Sequence, residues 1–282
     1  METRQVNLED ANQQLRQFAT VVNTDHAVRQ IDSREHLRVG IDLLGTSSIV
    51  LTVLDTENRP LYGAFEYDHA VRDGIVVNFM ESVEILKRLK TKAEKVLGTV
   101  LKTACGAIPP GTGDGATKIV GNVIEAAGLD CRQIVDEPTA AATFLQIESG
   151  TVIDIGGGTT GVSIFSQGKL MEVLDEATGG FHMTLVLAGY FHISSEEAEA
   201  LKRDSKRETE VFSIVRPVVE KMAMIVLNAT KIPTNEPVIV VGGAINFTDF
   251  VTTFSKTLKM LAQKPEFPQF VTPLGIAMYD HD

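Results

Sequence analysis

The 282-residue sequence has only two cysteines, Cys105 and Cys131, in neither a metal-ligand spacing nor a disulfide framework, which fits a reducing cytosol. Its six histidines show no paired spacing on one helix face, so no histidine metal site is expected. Lysine and arginine number 26 against 37 acidic residues, and the net charge of −11 argues against nucleic-acid or anionic-membrane partners. No apolar run is long enough to span a bilayer, and the polar, charged start predicts no secretory signal. No Gly-Lys-Ser or Gly-Lys-Thr triplet occurs, which excludes a P-loop. At 44% hydrophobic and 22% charged, the composition is that of an ordinary globular protein with core for one large domain or two.

One stretch organises what is present, Thr151 to Leu170, TVIDIGGGTTGVSIFSQGKL. Asp154 stands near the end of an apolar run, and Gly156, Gly157 and Gly158 follow, then Thr159, Thr160 and Gly161. Glycines let a backbone come close to a ligand, and their consecutive N–H groups form a concave anion site to which the threonine hydroxyls are expected to add donors. An acid beside such a cradle is a natural partner for Mg²⁺ and its waters. Gly156, Gly158 and Gly161 formally satisfy the dinucleotide pattern, but strand-like Val162, Ile164 and Phe165 follow in place of the helix that the pattern requires. The alternative is an ordinary glycine-rich hairpin turn. The plan recurs from Arg38: a strand ending in Asp42, a turn through Gly45, Thr46 and Ser47, and a strand from Ile49 to Leu54. Two such hairpins can grip one polyphosphate from opposite sides of a cleft.

Elsewhere, Leu8, Ala11, Leu15, Phe18 and Val22 recur at helical spacing behind Asn7, a candidate N-cap. That helix either docks on its own domain or lays its apolar face in a partner's groove. Further helices are expected over 81–97, over 116–127 behind Asp114, and from Pro217 to Asn228. A short strand at Ile134-Val135 delivers Asp136 and Glu137 to a helix started by Pro138. Asp175 to Gly180, DEATGG, reads as a turn. Ser194 caps the helix carrying Glu199 and Lys202, which at i, i+3 form either a ligand-contacting pair or a solvated salt pair. Val238 to Val241 reads as a covered strand. It runs into Gly242-Gly243 and a helix N-terminus, an approach site for an anion or nucleotide. Phe250, Phe254, Leu258 and Leu261 are expected inside.

The two hairpins resemble the phosphate-1 and phosphate-2 motifs of the actin, Hsp70 and sugar-kinase superfamily of ATPases. DEPTAAA (136–142) resembles its first connecting motif, VIVVGGA (238–244) its adenosine motif, and TPLGIAMY its second connecting motif. The combination of VRDGIV, IPPGT, DEPTAAA, DIGGGTTG, DEATGG and EEAEALK is most similar to the EutJ family of ethanolamine utilization proteins. The resemblance implies an α/β, actin-like (ribonuclease H-like) two-lobed ATPase fold with an interlobe nucleotide cleft. An N-terminal extension would cover 1–36, lobe I 37–149 plus 263–282, and lobe II 150–262. It implies ATP and Mg²⁺ as ligands, with Asp42 and Asp154 toward the metal and Glu137 toward the attacking water. Gly179 and Gly180 would line the nucleotide site with Gly242 and Gly243, while Glu199 and Lys202 meet ribose and adenine. The function implied is a weakly ATP-hydrolysing, chaperone-like or assembly factor for a bacterial microcompartment, cytoplasmic, serving an ethanolamine-pathway enzyme or a shell protein. An actin-like scaffold or filament is the alternative, and a small-molecule kinase the third. The chain ends straight after the second connecting motif, so no separate peptide-binding domain is expected. Two departures carry expectations. Leu44 lengthens the first turn by one residue, which predicts that Asp42 is turned aside. Gly161 stands where many Hsp70-like relatives carry an acid, which predicts slow hydrolysis.

Overall fold

A computed structural model of the protein describes residues 6–32, 35–43, 48–67, 71–72, 75–230 and 236–281. Two five-stranded sheets dominate, and they share one topology. The first contains β1 (Arg38–Asp42), β2 (Ser48–Leu54), β3 (Pro60–Tyr67), β6 (Thr103–Ile108) and β7 (Asp130–Asp136), in the order β3-β2-β1-β6-β7. The second contains β8 (Gly150–Ile155), β9 (Thr160–Ser166), β10 (Lys169–Glu176), β11 (Val238–Val241) and β12 (Ala262–Gln263), in the order β10-β9-β8-β11-β12. In each, a three-stranded antiparallel meander is extended by two parallel strands on its far side. A small hairpin, β4 (Val71–Arg72) with β5 (Ile75–Val76), accompanies the first sheet. The repeat seen in the sequence is therefore a repeat of architecture.

Helix α1 (Glu9–Ala19) precedes the first sheet, on which α2 (Phe79–Leu97) and α3 (Asp114–Ala126) pack. Helices α5 (Gly180–Phe191), α6 (Ser195–Lys202), α7 (Glu208–Ala229) and α8 (Phe250–Leu258) cover the second. Between the sheets run α4 (Glu137–Phe144) and α9 (Val271–Ala277), whose apolar residues share one core cluster with Leu54 of the first sheet and Val152, Phe165 and Ile239 of the second. The C-terminal return is fastened to the first sheet by buried Asp280, which accepts from the Val39 N–H at 2.9 Å and from the Thr103 hydroxyl at 3.0 Å.

Local chemistry sets most boundaries. Asn78 caps α2 by accepting from the Glu81 N–H at 3.2 Å, and Gly98 ends it in the left-handed region at φ +68°. Ser194 and Glu197 make the expected reciprocal capping box at α6. Several expectations shift. Asn7 accepts from the Glu9 N–H, but the residue that caps α1 is Leu8, and Asp114 is the first residue of α3 with Gly113 as its cap. The strand at Ile134-Val135 extends over all of β7. Asp175 and Glu176 lie in β10, not in a turn. Helix α7 runs straight through Pro217, because Val211, Val215, Val219, Met222 and Val226 form one fully buried stripe while Pro217 faces solvent. Burial of five apolar side chains outweighs the roughly 3 kcal/mol a mid-helix proline costs. Leu261, expected inside, lies past the end of α8 and is 42% exposed. The apolar face of α1 is spent at home: Leu15 and Phe18 are fully buried, and the Phe18 ring meets Phe270 edge-on at 5.2 Å. Among the described residues no helix is long and apolar enough to cross a membrane.

Candidate functional site

The two repeats bring their acids to the same place. Asp42 ends β1 and Asp154 stands one residue before the end of β8, and both are buried. Between them α4 begins with Glu137, only 7% exposed. The helix-capping work there belongs to Asp136, whose side chain accepts from the Thr139 N–H at 2.9 Å. Glu137 is thus not the surface acid of a helix start, and its Oε1 is buried with no hydrogen-bond partner among the described residues. Burial pushes its carboxyl well above the usual range, and the charges of Asp42, Asp154, Asp175 and Asp136 push it further. Asp42 is the first of these charges and is itself buried; Leu44 and the turn that follows it lie outside the described residues. Burial raises Asp154 to about 6, opposed by the hydrogen bond it accepts from Thr272. Gly45, Thr46 and Ser47 lie outside the described residues.

The glycine turn is locked to the start of α5. The Gly156 N–H closes the turn on the Thr159 carbonyl at 3.1 Å, while the N–H groups of Gly180 and Phe181 donate to Gly156 and Gly157 at 2.9 and 2.7 Å. A Cβ at Gly179 would stand 2.6 Å from the Gly157 oxygen, so only glycine lets this splice form. The N–H groups of Gly157 and Gly158 meet no acceptor among the described residues, which leaves them for an anion. Thr160 is a correction. Its hydroxyl donates to the Thr178 carbonyl, so it supplies no donor to the cradle. Gly242 has φ +99°, and a Cβ there would lie 2.5 Å from Asp154 Oδ1. Gly243 opens a short 3₁₀ turn over Gly243–Ile245 and α8 starts only at Phe250, so no helix N-terminus follows the glycine pair directly.

Between the sheets lies a cavity of about 320 Å³. Gly156, Gly157, Gly180, Glu199, Lys202 and Gly243 line it from the second sheet's side, facing Ser48, Val50, Phe65 and Tyr67. Glu199 and Lys202 are not a solvated pair: Lys202 Nζ donates to Glu199 at 2.6 Å, Thr184 Oγ1 at 2.8 Å and the Gly180 carbonyl at 3.0 Å, using all three of its protons. Burial lowers the Lys202 pKa; burial also works to raise that of Glu199, but Lys202, the Thr184 hydroxyl and Arg203 together outweigh it and hold the Glu199 carboxyl below its ordinary value. The buried acids do not line the cavity itself.

Sequence reasoning missed two features. Arg203 lies over the Tyr67 ring at 4.0 Å, a cation–π contact between the two sides of the cleft that no periodicity signals. Asp175 joins the acid cluster because a bulge between Leu170 and Glu172 resets which side chains of β10 face inward, an effect invisible to strict alternation. No three His, Cys, Asp or Glu side chains among the described residues could coordinate a metal directly. Mg²⁺ keeps several waters and needs one or two carboxylates beside phosphate oxygens, and the acceptor-only wall with its unpartnered Glu137 Oε1 suits that mode.

A carboxyl raised in the folded state favours folding where it is protonated. For Asp154, at about 6 against an ordinary 3.8, that contribution is complete below pH 4 and is lost as pH rises through about 6. Asp154→Asn is therefore expected to gain stability relative to the parent protein between pH 4.5 and 7.5, by up to roughly 3 kcal/mol. Urea midpoints at the two pH values measure this, and a constant difference would contradict the buried, ionising Asp154.

The Hsp70 protein family matches residues 77–255. The ethanolamine utilization protein EutJ of Escherichia coli (strain K12) is 39% identical over 242 residues, 86% of this chain and 85% of that protein. The crystal structure of ethanolamine utilization protein EutJ from Carboxydothermus hydrogenoformans aligns with a TM-score of 0.90 at 42% identity, over 97% of this chain and 99% of that one. MreB5 of Spiroplasma citri bound to ADP shares the fold alone, with a TM-score of 0.66 at 16% identity over 87% and 96% of the two chains. With both hairpins, both connecting helices and this degree of identity in place, the chain belongs to the EutJ family of ethanolamine utilization proteins, within the actin and Hsp70 superfamily.

Proposed function

We propose that the protein binds Mg²⁺-ATP in the cleft between its two sheets, hydrolyses it slowly, and serves as a chaperone-like or assembly factor in ethanolamine utilization. The observation that carries this reading is the convergence of Asp42 and Asp154, one from each repeat, on buried Glu137 with its unpartnered Oε1. In this reading residues 37–149 with 263–282 form lobe I and 150–262 form lobe II. Gly157 and Gly158 hold phosphate oxygens through their N–H groups. Asp42 and Asp154 orient the waters of the metal, and Glu137 accepts the proton of the attacking water. Mg²⁺, when bound, offsets the negative charge of the phosphates. Glu199 and Lys202 brace the opposite end of the cavity, where Gly180 and Gly243 allow close approach of the sugar and base. Closure of the lobes around nucleotide would present a changed surface to a client in the cytoplasm, an ethanolamine-pathway enzyme or a microcompartment shell protein.

The test is calorimetric titration of the full chain with Mg²⁺-ATP, followed by phosphate-release kinetics. One saturable, Mg²⁺-dependent site with slow release that a purified pathway enzyme or shell protein accelerates is expected. Binding without release points instead to a nucleotide-stabilised scaffold. No binding at all overturns the reading.

A further inference from the structure

The rim of the cleft carries a contact that the nucleotide chemistry above leaves unassigned. Tyr67 ends β3 on the first sheet's side, Arg203 caps the C-terminus of α6 on the second sheet's side, and both line the cavity. The Arg203 guanidinium lies 4.0 Å from the centre of the Tyr67 ring, so the contact spans the cleft. It sits where the cavity meets solvent: Tyr67 is 57% exposed and the Arg203 side chain 39%, whereas Ser48 and Val50 of the same wall are buried. Each partner is held on its own side. Phe65 meets the Tyr67 ring edge-on at 5.2 Å. Glu199 Oε1 accepts from Arg203 Nε at 2.8 Å and lies 2.8 Å from its Nη2, which fixes the plane of the guanidinium. Glu199 Oε2 accepts from Lys202, Lys202 also donates to the Gly180 carbonyl, and the Gly180 N–H donates to Gly156 of the glycine turn. The rim cation is thus tied by a run of hydrogen bonds to the glycine turn on its own side, and meets the opposite side at the Tyr67 ring.

We propose that Arg203 and Tyr67 form a latch across the cleft mouth, closed in the nucleotide-free protein, that parts to let nucleotide enter and leave. The inference rests on the ATP reading above for its ligand and on the contact itself for its gate. A cation over an aromatic face needs no donor–acceptor alignment, so it can join two surfaces that move relative to each other. At a half-exposed site such a pair shifts an equilibrium about two- to fivefold, enough to set exchange rates and too little to trap a ligand. The latch is made whether the cleft is empty or loaded. Losing it therefore lowers the barrier in both directions, and entry and exit accelerate together while affinity changes little. A side chain whose role was to touch the nucleotide would behave differently: its loss would speed exit and leave entry as it was.

Three variants of the full chain test this: Tyr67→Leu removes the ring face, Tyr67→Phe keeps it, and Arg203→Gln removes the cation. Stopped-flow mixing with Mg²⁺ and a fluorescent ATP analogue reads both rate constants. Tyr67→Leu and Arg203→Gln are expected to raise association and dissociation alike, about two- to fivefold, with Kd within about twofold of the parent and Tyr67→Phe parent-like. Faster exit alone, or parent values for both rates, would overturn the latch. A second measurement needs no nucleotide. A Val50→Cys background places a thiol on the cavity wall, and its alkylation by iodoacetamide, followed by peptide mass spectrometry, reports opening of the cleft. Burial pushes the Cys105 and Cys131 thiols up to about 12 and 11, which slows their reaction, and their peptides are distinguished by mass. Tyr67→Leu and Arg203→Gln should each speed labelling of the introduced thiol about two- to fivefold. An unchanged labelling rate overturns the latch even where nucleotide binds. If the parent protein binds no ATP, the ATP reading fails by itself, and the labelling rate still judges the gate.

Discussion

Gly275→Ala is expected to collapse the join between the two sheets, with a stability loss above about 4 kcal/mol or no soluble protein at all. A Cβ at position 275 would lie 2.0 Å from the Ala140 carbonyl oxygen and 2.5 Å from its carbon, and these are backbone atoms of α4 that cannot swing aside. The helices cannot separate cheaply either. Every residue of α9 is buried, Ala140 to Ala142 of α4 are buried, and the far side of α9 rests on Gly40 of β1, where a Cβ would meet Ala277 N at 2.5 Å. Ordinary overpacking costs about 1–3 kcal/mol because side chains yield; here two backbones are already in contact. Gly189→Ala is the control: nothing lies within 4 Å of its added Cβ in the last turn of α5, so it should be neutral or stabilising by up to about 1 kcal/mol. Urea unfolding of the pair decides the matter, and parent-like stability of Gly275→Ala would refute the close crossing of α4 and α9.

Glu137→Gln should show the opposite pattern, a more stable protein that no longer turns over nucleotide. The amide keeps the shape of the side chain but removes a charge that is buried beside Asp42, Asp154 and Asp175. Since burial already holds this carboxyl well above its ordinary value, the nucleotide-free protein at pH 7.5 should unfold at higher denaturant than the parent. Below pH 4, where the acid is protonated in both folded and unfolded chains, the gain should vanish. With no carboxylate to accept the water's proton, phosphate release should fall about 10²- to 10⁴-fold, while Mg²⁺-ATP still binds. Single-turnover release and calorimetry on one preparation separate the two effects. Release at the parent rate would remove Glu137 from the chemistry.

The hairpins, their acids and most helices were legible because they depend on near neighbours. Strand alternation, a glycine run, an N-cap three residues from its glutamate and a left-handed Gly98 are all written within a few positions of the chain. The same holds for the repeated strand-acid-turn plan, which the two sheets carry out with identical strand orders. Family membership followed from these local words in combination. Where local signals failed, a distant partner had outvoted them. Pro217 reads as a helix start, yet a buried stripe from Val211 to Val226 runs past it. The α1 face could have suited a foreign groove, but Phe270 lies waiting for Phe18 some 250 residues later.

The chemistry of the cleft divides along the same line. Residue types and order alone establish that two acids end two equivalent strands and that a glycine turn follows the second, since those facts are properties of short segments. Which atoms remain free for a ligand is settled only when segments meet. Thr178 takes the proton of Thr160, and Glu199 with Thr184 and Gly180 exhausts Lys202. A hydrogen-bonding group has few protons and lone pairs, and in a packed interior their allocation depends on every neighbour within about 3 Å. Sequence supplies the donors and acceptors; register, bulges and helix crossings decide who is left to meet the phosphate.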